Sequence, residues 1–148
     1  MKTKIKRIPL KKLGKKDLYS CSQAILTGSD WTIEDTDATG SSMSDVMKQY
    51  RKHPQDFIYA DAIIIKTLTN DFIGWCLSFQ YKNTLYYEPP DTAYFYIHKK
   101  YRRQGYGTLL FKHLESKRSD FKYVPWNKPS IKFFSKLDPE YSDRITDC

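Results

Sequence analysis

Phe95-Tyr96-Ile97-His98-Lys99-Lys100-Tyr101-Arg102-Arg103-Gln104-Gly105-Tyr106-Gly107-Thr108-Leu109-Leu110 is the stretch on which the reading of this chain turns. It reads as a strand that runs into a glycine-containing turn and then straight into a helix. Leu110 and Leu114, four apart and flanked by Leu109 and Phe111, supply the apolar face of a helix within Tyr101 to Arg118. In such a turn the backbone amides of residues 103–108 converge on one spot. They lack intrahelical partners, the helix dipole is positive there, and glycine lets a ligand approach the backbone, so the turn favours a phosphate or pyrophosphate. Lys99, Lys100, Arg102, Arg103, Lys112 and Lys117 strengthen the same field. No G-K-[ST] closes the turn as in a P-loop, and the third glycine of a dinucleotide fingerprint is missing.

Working outward, Lys4 to Leu10 reads as a first strand and Lys16 to Thr27 as a helix stopped by Gly28. Ser29 to Ser44, acidic at Asp30, Glu34, Asp35 and Asp37, reads as a loop. Ser42-Met43-Ser44-Asp45 has the form of a helix start, and that helix must stop before Pro54. Phe57 to Leu68 and Phe72 to Tyr81 read as a hairpin around Thr69-Asn70-Asp71. A further strand, Thr92 to His98, follows the rigid Pro89-Pro90 turn, with Thr84 to Tyr87 before it. After the central helix come a short strand at Phe121 to Trp126 and a helix at Pro129 to Leu137. This order predicts an α/β fold: a mixed, mostly antiparallel sheet flanked by helices, with a shortened C-terminal strand region.

With 148 residues, a single domain over 1–148 is expected. Three cysteines at wide spacings support neither a disulfide framework nor a zinc site, and no apolar stretch suits a signal peptide or a membrane span. A cytoplasmic setting, no membrane and no metal are therefore expected. The net charge of +8 is unevenly placed. Lys2, Lys4, Lys6, Arg7, Lys11, Lys12, Lys15 and Lys16 all precede the first carboxylate, Asp17, so the rest of the chain is neutral. That basic start suits nucleic acid or tRNA, a membrane surface, or an edge strand kept soluble by outward lysines.

Arg102-Arg103-Gln104-Gly105-Tyr106-Gly107 fits [RQ]-x-x-G-x-[GA], and here the chain resembles the GNAT superfamily of acyl-CoA-dependent N-acetyltransferases. Ile97 and Tyr101 stand where that family has an aliphatic residue and an aromatic before the Arg, although Lys99 replaces its usual proline. Downstream, Asn127 followed by Pro129-Ser130-Ile131-Lys132-Phe133-Phe134-Ser135-Lys136-Leu137 resembles the family's asparagine and next helix. The resemblance implies acetyl-CoA as acyl donor and direct transfer to an amine in a ternary complex. The acceptor would be a small molecule, or a protein lysine or N-terminus.

By the same resemblance, backbone near Ile97 would pair with the pantetheine arm. Arg102, Arg103, Gln104, Gly105, Tyr106, Gly107 and Thr108 would hold the pyrophosphate, and Asn127 would contact the pantetheine or the acyl end. For Asn127 an N-cap ahead of Pro129 serves equally well. Glu88 and Asp91 are the candidate general bases, with Asp61 and His98 behind them. Phe134 occupies a position where the family often has a tyrosine that protonates the thiolate; Tyr123, or Tyr94 or Tyr96, would replace it.

The resemblance implies one or two closing strands after Leu137; here one, Tyr141 to Thr146, is all that fits, which would leave an exposed sheet edge that a homodimer would cover. Two rival readings make definite demands. An RRM-like RNA-binding module needs residues 104–111 in a strand, because Gln104 to Phe111 partly matches that domain's aromatic motif. A GNAT fold that binds a partner without catalysis would be consistent with Phe134.

Overall fold

The computed structural model describes residues 2–17, 41–83, 85, 89–101, 103–118, 120–123 and 128–145. In chain order it has β1 (Thr3–Pro9), α1 (Ser41–Lys52), β2 (Phe57–Thr67), β3 (Phe72–Tyr81), β4 (Thr92–Ile97), α2 (Tyr106–Lys117), β5 (Lys122–Tyr123), α3 (Lys128–Leu137) and α4 (Tyr141–Arg144). The strands form one sheet in the order β1-β2-β3-β4-β5. The first three pairings are antiparallel and β4–β5 is parallel, so the sheet is mixed as expected.

The aliphatic run Ala62-Ile63-Ile64-Ile65 is buried throughout because β2 lies inside the sheet with both faces covered. On one face Ile64, Trp75, Leu77, Phe79 and Tyr96 pack with Val46 of α1. On the other, Ile63, Cys76 and Ala93 lie beneath Leu110, Phe111 and Leu114 of α2 and Phe134 of α3. Burying such side chains stabilises by about 1.5–3 kcal/mol each. The β2–β3 turn spans Leu68 to Asp71, one residue longer than read from the sequence. Asn70 takes the left-handed conformation there (φ 71°), and the Thr67 amide donates to the Asp71 carbonyl at 2.9 Å.

Helix α1 begins at Ser41, so Ser42 lies inside it rather than capping it. Most of the Lys16–Thr27 helix and of the acidic segment, together with Tyr86 and Tyr87, lies outside the described residues. The strand expected at Tyr141 to Thr146 is instead the short helix α4, followed by a single parallel bridge from Ile145 to Tyr123. Its cause is Arg144, which is 4 % exposed and bonds Glu115 (2.8 Å), Asp138 (3.1 Å) and Glu140 (2.7 Å). The Arg144–Glu140 pair is an i,i+4 contact, which an extended chain cannot make. Burial opposes the charge of Arg144, yet the hydrogen bond to Glu115 and the surrounding carboxylates hold its pKa above the ordinary value. Among the described residues no helix is long and apolar enough to cross a membrane.

Candidate active site

Strand β4 ends at Ile97, and a 3-10 turn, Lys99–Tyr101, leads toward α2. The His98 amide donates to the Ile73 carbonyl, and the Tyr101 amide to that of His98, both at 2.8 Å, fixing where the chain leaves the sheet. Tyr101 and Tyr106 are buried with Ile65 and Ile73, their rings in edge contact at 6.0 Å. These two aromatics anchor the turn while Arg103, Gln104 and Gly105 between them stay exposed. The side chain of Tyr106 is thus engaged in the core, and only its amide remains for a ligand.

Arg103 (φ 62°) and Gly105 (φ 87°) both adopt the left-handed conformation. Gly105 is the N-cap of α2 and supplies no side-chain hydrogen bond to it. The first-turn amides of Tyr106, Gly107 and Thr108 have no partner within the helix. Gly105 also has open space where a Cβ would project, with no atom within 4 Å. Its backbone therefore faces outward beside the positive end of a helix 12 residues long. The Gln104 amide group donates to the Lys100 carbonyl at 3.2 Å, closing the turn on itself. This arrangement fits a polyphosphate: donors, dipole and clearance coincide. Gly107 has a different neighbour, because a Cβ there would meet Phe133 Cζ at 3.1 Å and Ile97 Cγ1 at 3.9 Å. Phe133 of α3 thus leans across the end of β4 onto the start of α2. Arg102, Asn127 and Glu88 lie outside the described residues.

Asp91 stands at the other end of β4. Its Oδ1 accepts a hydrogen bond from the Tyr59 hydroxyl at 2.5 Å and lies 3.9 Å from Arg118 Nη1. The Arg118 guanidinium stacks 3.6 Å from the Tyr59 ring centroid and also reaches Asp61 at 3.9 Å, as Arg7 does at 3.7 Å. Burial, with the hydrogen bond to Asp91, raises the pKa of Tyr59, so it stays a donor. Asp91 also lines a cavity of about 270 Å³ with Gln80, Pro89, Asp120, Phe121 and Lys122. Sequence reasoning named Asp91 and Asp61 but missed Tyr59 and Arg118. Only the register, Asp61 opposite Ser78 and Ser78 opposite Ala93, brings these residues to one place.

Tyr123 is fully buried and its hydroxyl donates to Asp138 Oδ2 at 2.9 Å. Burial and that bond raise its pKa. Phe134, 7 % exposed, lies among Tyr123 (4.7 Å), Phe95 (5.4 Å) and Phe111 (5.9 Å). Cys76 is fully buried, and burial alone raises its thiol pKa, which keeps it unreactive. Glu115, Asp138 and Glu140 converge, but Arg144 bonds all three.

Residues 106–117 are helical, which removes the strand an RRM-like module requires. No curated protein sequence matches the chain. Solved structures that share the fold include two named as acetyltransferases. One is an aminoglycoside acetyltransferase from an uncultured soil metagenomic sample, at 16 % identity, with a TM-score of 0.54 over 94 % of this chain and 92 % of that one. The other, named "Putative acetyl transferase from Pyrococcus furiosus", has 12 % identity and a TM-score of 0.54 over 91 % and 92 %. The family model for the Acetyltransferase (GNAT) family matches residues 27–138, which include β2 through α3 and the whole β4–turn–α2 unit. That span is most of the chain, and the protein belongs to the GNAT family of acetyltransferases.

Proposed function

We propose that this enzyme moves an acetyl group from acetyl-CoA to a primary amine by direct attack in a ternary complex. The observation that carries the reading is the turn at Arg103–Thr108, left-handed at Arg103 and Gly105 and open above Gly105. Its amides would hold the pyrophosphate, with Arg102 and Arg103 adding charge. The β4 backbone near Ile97 and the side chain of Asn127 would receive the pantetheine arm. The donor supplies an activated thioester; the chain supplies position.

Asp91 takes the ammonium proton of the acceptor, so that the amine can attack. Tyr59 and Arg118 hold that carboxylate in place. We assign no acid to the thiolate: a thiol with a pKa near 8.5 leaves without help. Holding both reactants in line provides much of the acceleration. The soil-sample neighbour is named for aminoglycosides, and Asp91 with Asp120 would likewise suit a cationic amine at the cavity. A polyamine-like small molecule is the first acceptor to test, a protein lysine or N-terminus the second.

Calorimetric titration with acetyl-CoA should give micromolar binding that Gly105→Glu abolishes, because glutamate is strained at φ 87° and puts an anion in an anion site. Absence of binding at millimolar acetyl-CoA ends the reading. Asp91→Asn should leave acetyl-CoA affinity unchanged and lower kcat by about a hundredfold or more. An unchanged kcat removes Asp91 as the base.

A further inference from the structure

The N-terminal charge is a run of exposed lysines outside the residues assigned to acetyl transfer. Strand β1 is an edge of the sheet, paired on one side with β2. Lys2, Lys6, Lys11, Lys12, Lys15 and Lys16 are all exposed, and among the described residues none has an ion-pair partner. The neighbouring carboxylates are already engaged: Asp17 with Lys66 at 2.5 Å, and Asp61 with Arg7 and Arg118. Outward lysines on an edge strand guard against strand-to-strand aggregation, which accounts for Lys4 and Lys6. It does not account for Lys11, Lys12, Lys15 and Lys16, which follow the strand through the Leu10–Lys12 turn and beyond.

From this edge we propose that residues 2–16 bind the phosphate backbone of a nucleic acid. Two other polyanionic partners fit less well. A membrane surface needs apolar side chains free to insert beside the charges. Here Ile5, Ile8, Leu10 and Leu13 all pack against the core. An acidic peptide added as a further strand would use the β1 backbone, with no call on lysines beyond Pro9. A phosphate backbone needs neither insertion nor strand pairing; it needs closely spaced point charges, which lysines provide. The edge lies three strand spacings, about 14 Å, from β4. Binding there is separable from the cofactor turn, and the inference is independent of which amine accepts the acetyl group.

The test is fluorescence anisotropy with labelled single-stranded RNA and, in a second arm, duplex DNA. If all six lysines engage, log K should fall with log salt at a slope of about −4 for the single strand and about −5 for the duplex. The arm with the higher affinity identifies the natural form. Replacing Lys11, Lys12, Lys15 and Lys16 together by Gln should reduce the single-strand slope to about −1.5 and leave acetyl-CoA affinity unchanged. Three results overturn the proposal: no binding to either nucleic acid at low salt, a slope that the fourfold variant leaves unchanged, or equal affinity for polyglutamate or anionic vesicles.

Discussion

At Gly105 and Tyr123 two residues chosen from the sequence have different physical fates. Gly105 sits where only a residue tolerant of φ 87° can sit and where the space beyond it is empty, so its lack of a side chain has a local reason. That was legible, because glycine before a helical leucine pattern is a short-range signal. Tyr123 was chosen as an ionisable group near the expected thiolate, but its hydroxyl is spent on Asp138, fifteen residues on and buried. No spacing rule reveals such a bond. Tyr123→Phe leaves Asp138 one donor short, although Arg144 and the Glu140 amide still bond it. We expect a loss of about 1–3 kcal/mol in denaturant unfolding with kcat per folded enzyme unchanged. A fall in kcat without loss of stability would place Tyr123 in the chemistry.

Among the elements, those whose signal lies within one segment were legible. Leu110 and Leu114 bury as a helical face, and Ile63 to Ile65 as an inner strand. The C-terminal segment reads as a strand only because the family pattern has closing strands there; its own residues form the short helix α4. What decides its conformation is the buried Arg144, whose carboxylate partners come from α2 (Glu115) and from the link between α3 and α4 (Asp138 and Glu140). Likewise the Asp91 site depends on Tyr59, thirty-two residues earlier, which only strand register delivers. The junction of α2 and α3 offers a measurement at this scale. Alanine at position 107 should gain about 1 kcal/mol in helix propensity. In the native background its Cβ meets Phe133 at 3.1 Å, which offsets that gain. Gly107→Ala should therefore stabilise the Phe133→Ala variant more than the native protein, with a coupling of about 0.5–1 kcal/mol in a double-mutant cycle. Strict additivity in thermal unfolding would show that the two helices do not bear on each other there.

For the molecule as a whole, the two ends of α2 do different things. Its first turn, at the exposed Gly105, is where the proposed pyrophosphate site lies, while its last turn is tied to the C-terminal segment through Glu115 and Arg144. Arg144 also bonds Asp138 after α3 and Glu140 before α4, and stacks 4.6 Å from the centroid of Phe121, which precedes β5. One guanidinium thus joins segments that the short sheet edge at Lys122–Tyr123 would otherwise leave loosely held. Removing one partner of a buried ion pair costs about 3–5 kcal/mol, because the remaining charge stays buried without compensation. Arg144→Met should lower unfolding stability by about 3 kcal/mol. Arg144→Lys should recover only part of it, since an ammonium cannot reproduce the fork that spans three carboxylates. Helix α2 is about 18 Å long, so the proposed pyrophosphate site at its far end is remote from the change. Acetyl-CoA affinity, measured well below the unfolding temperature, should be preserved in both variants. Loss of affinity in parallel with stability would instead mean that the C-terminal tie and the cofactor turn open as one unit.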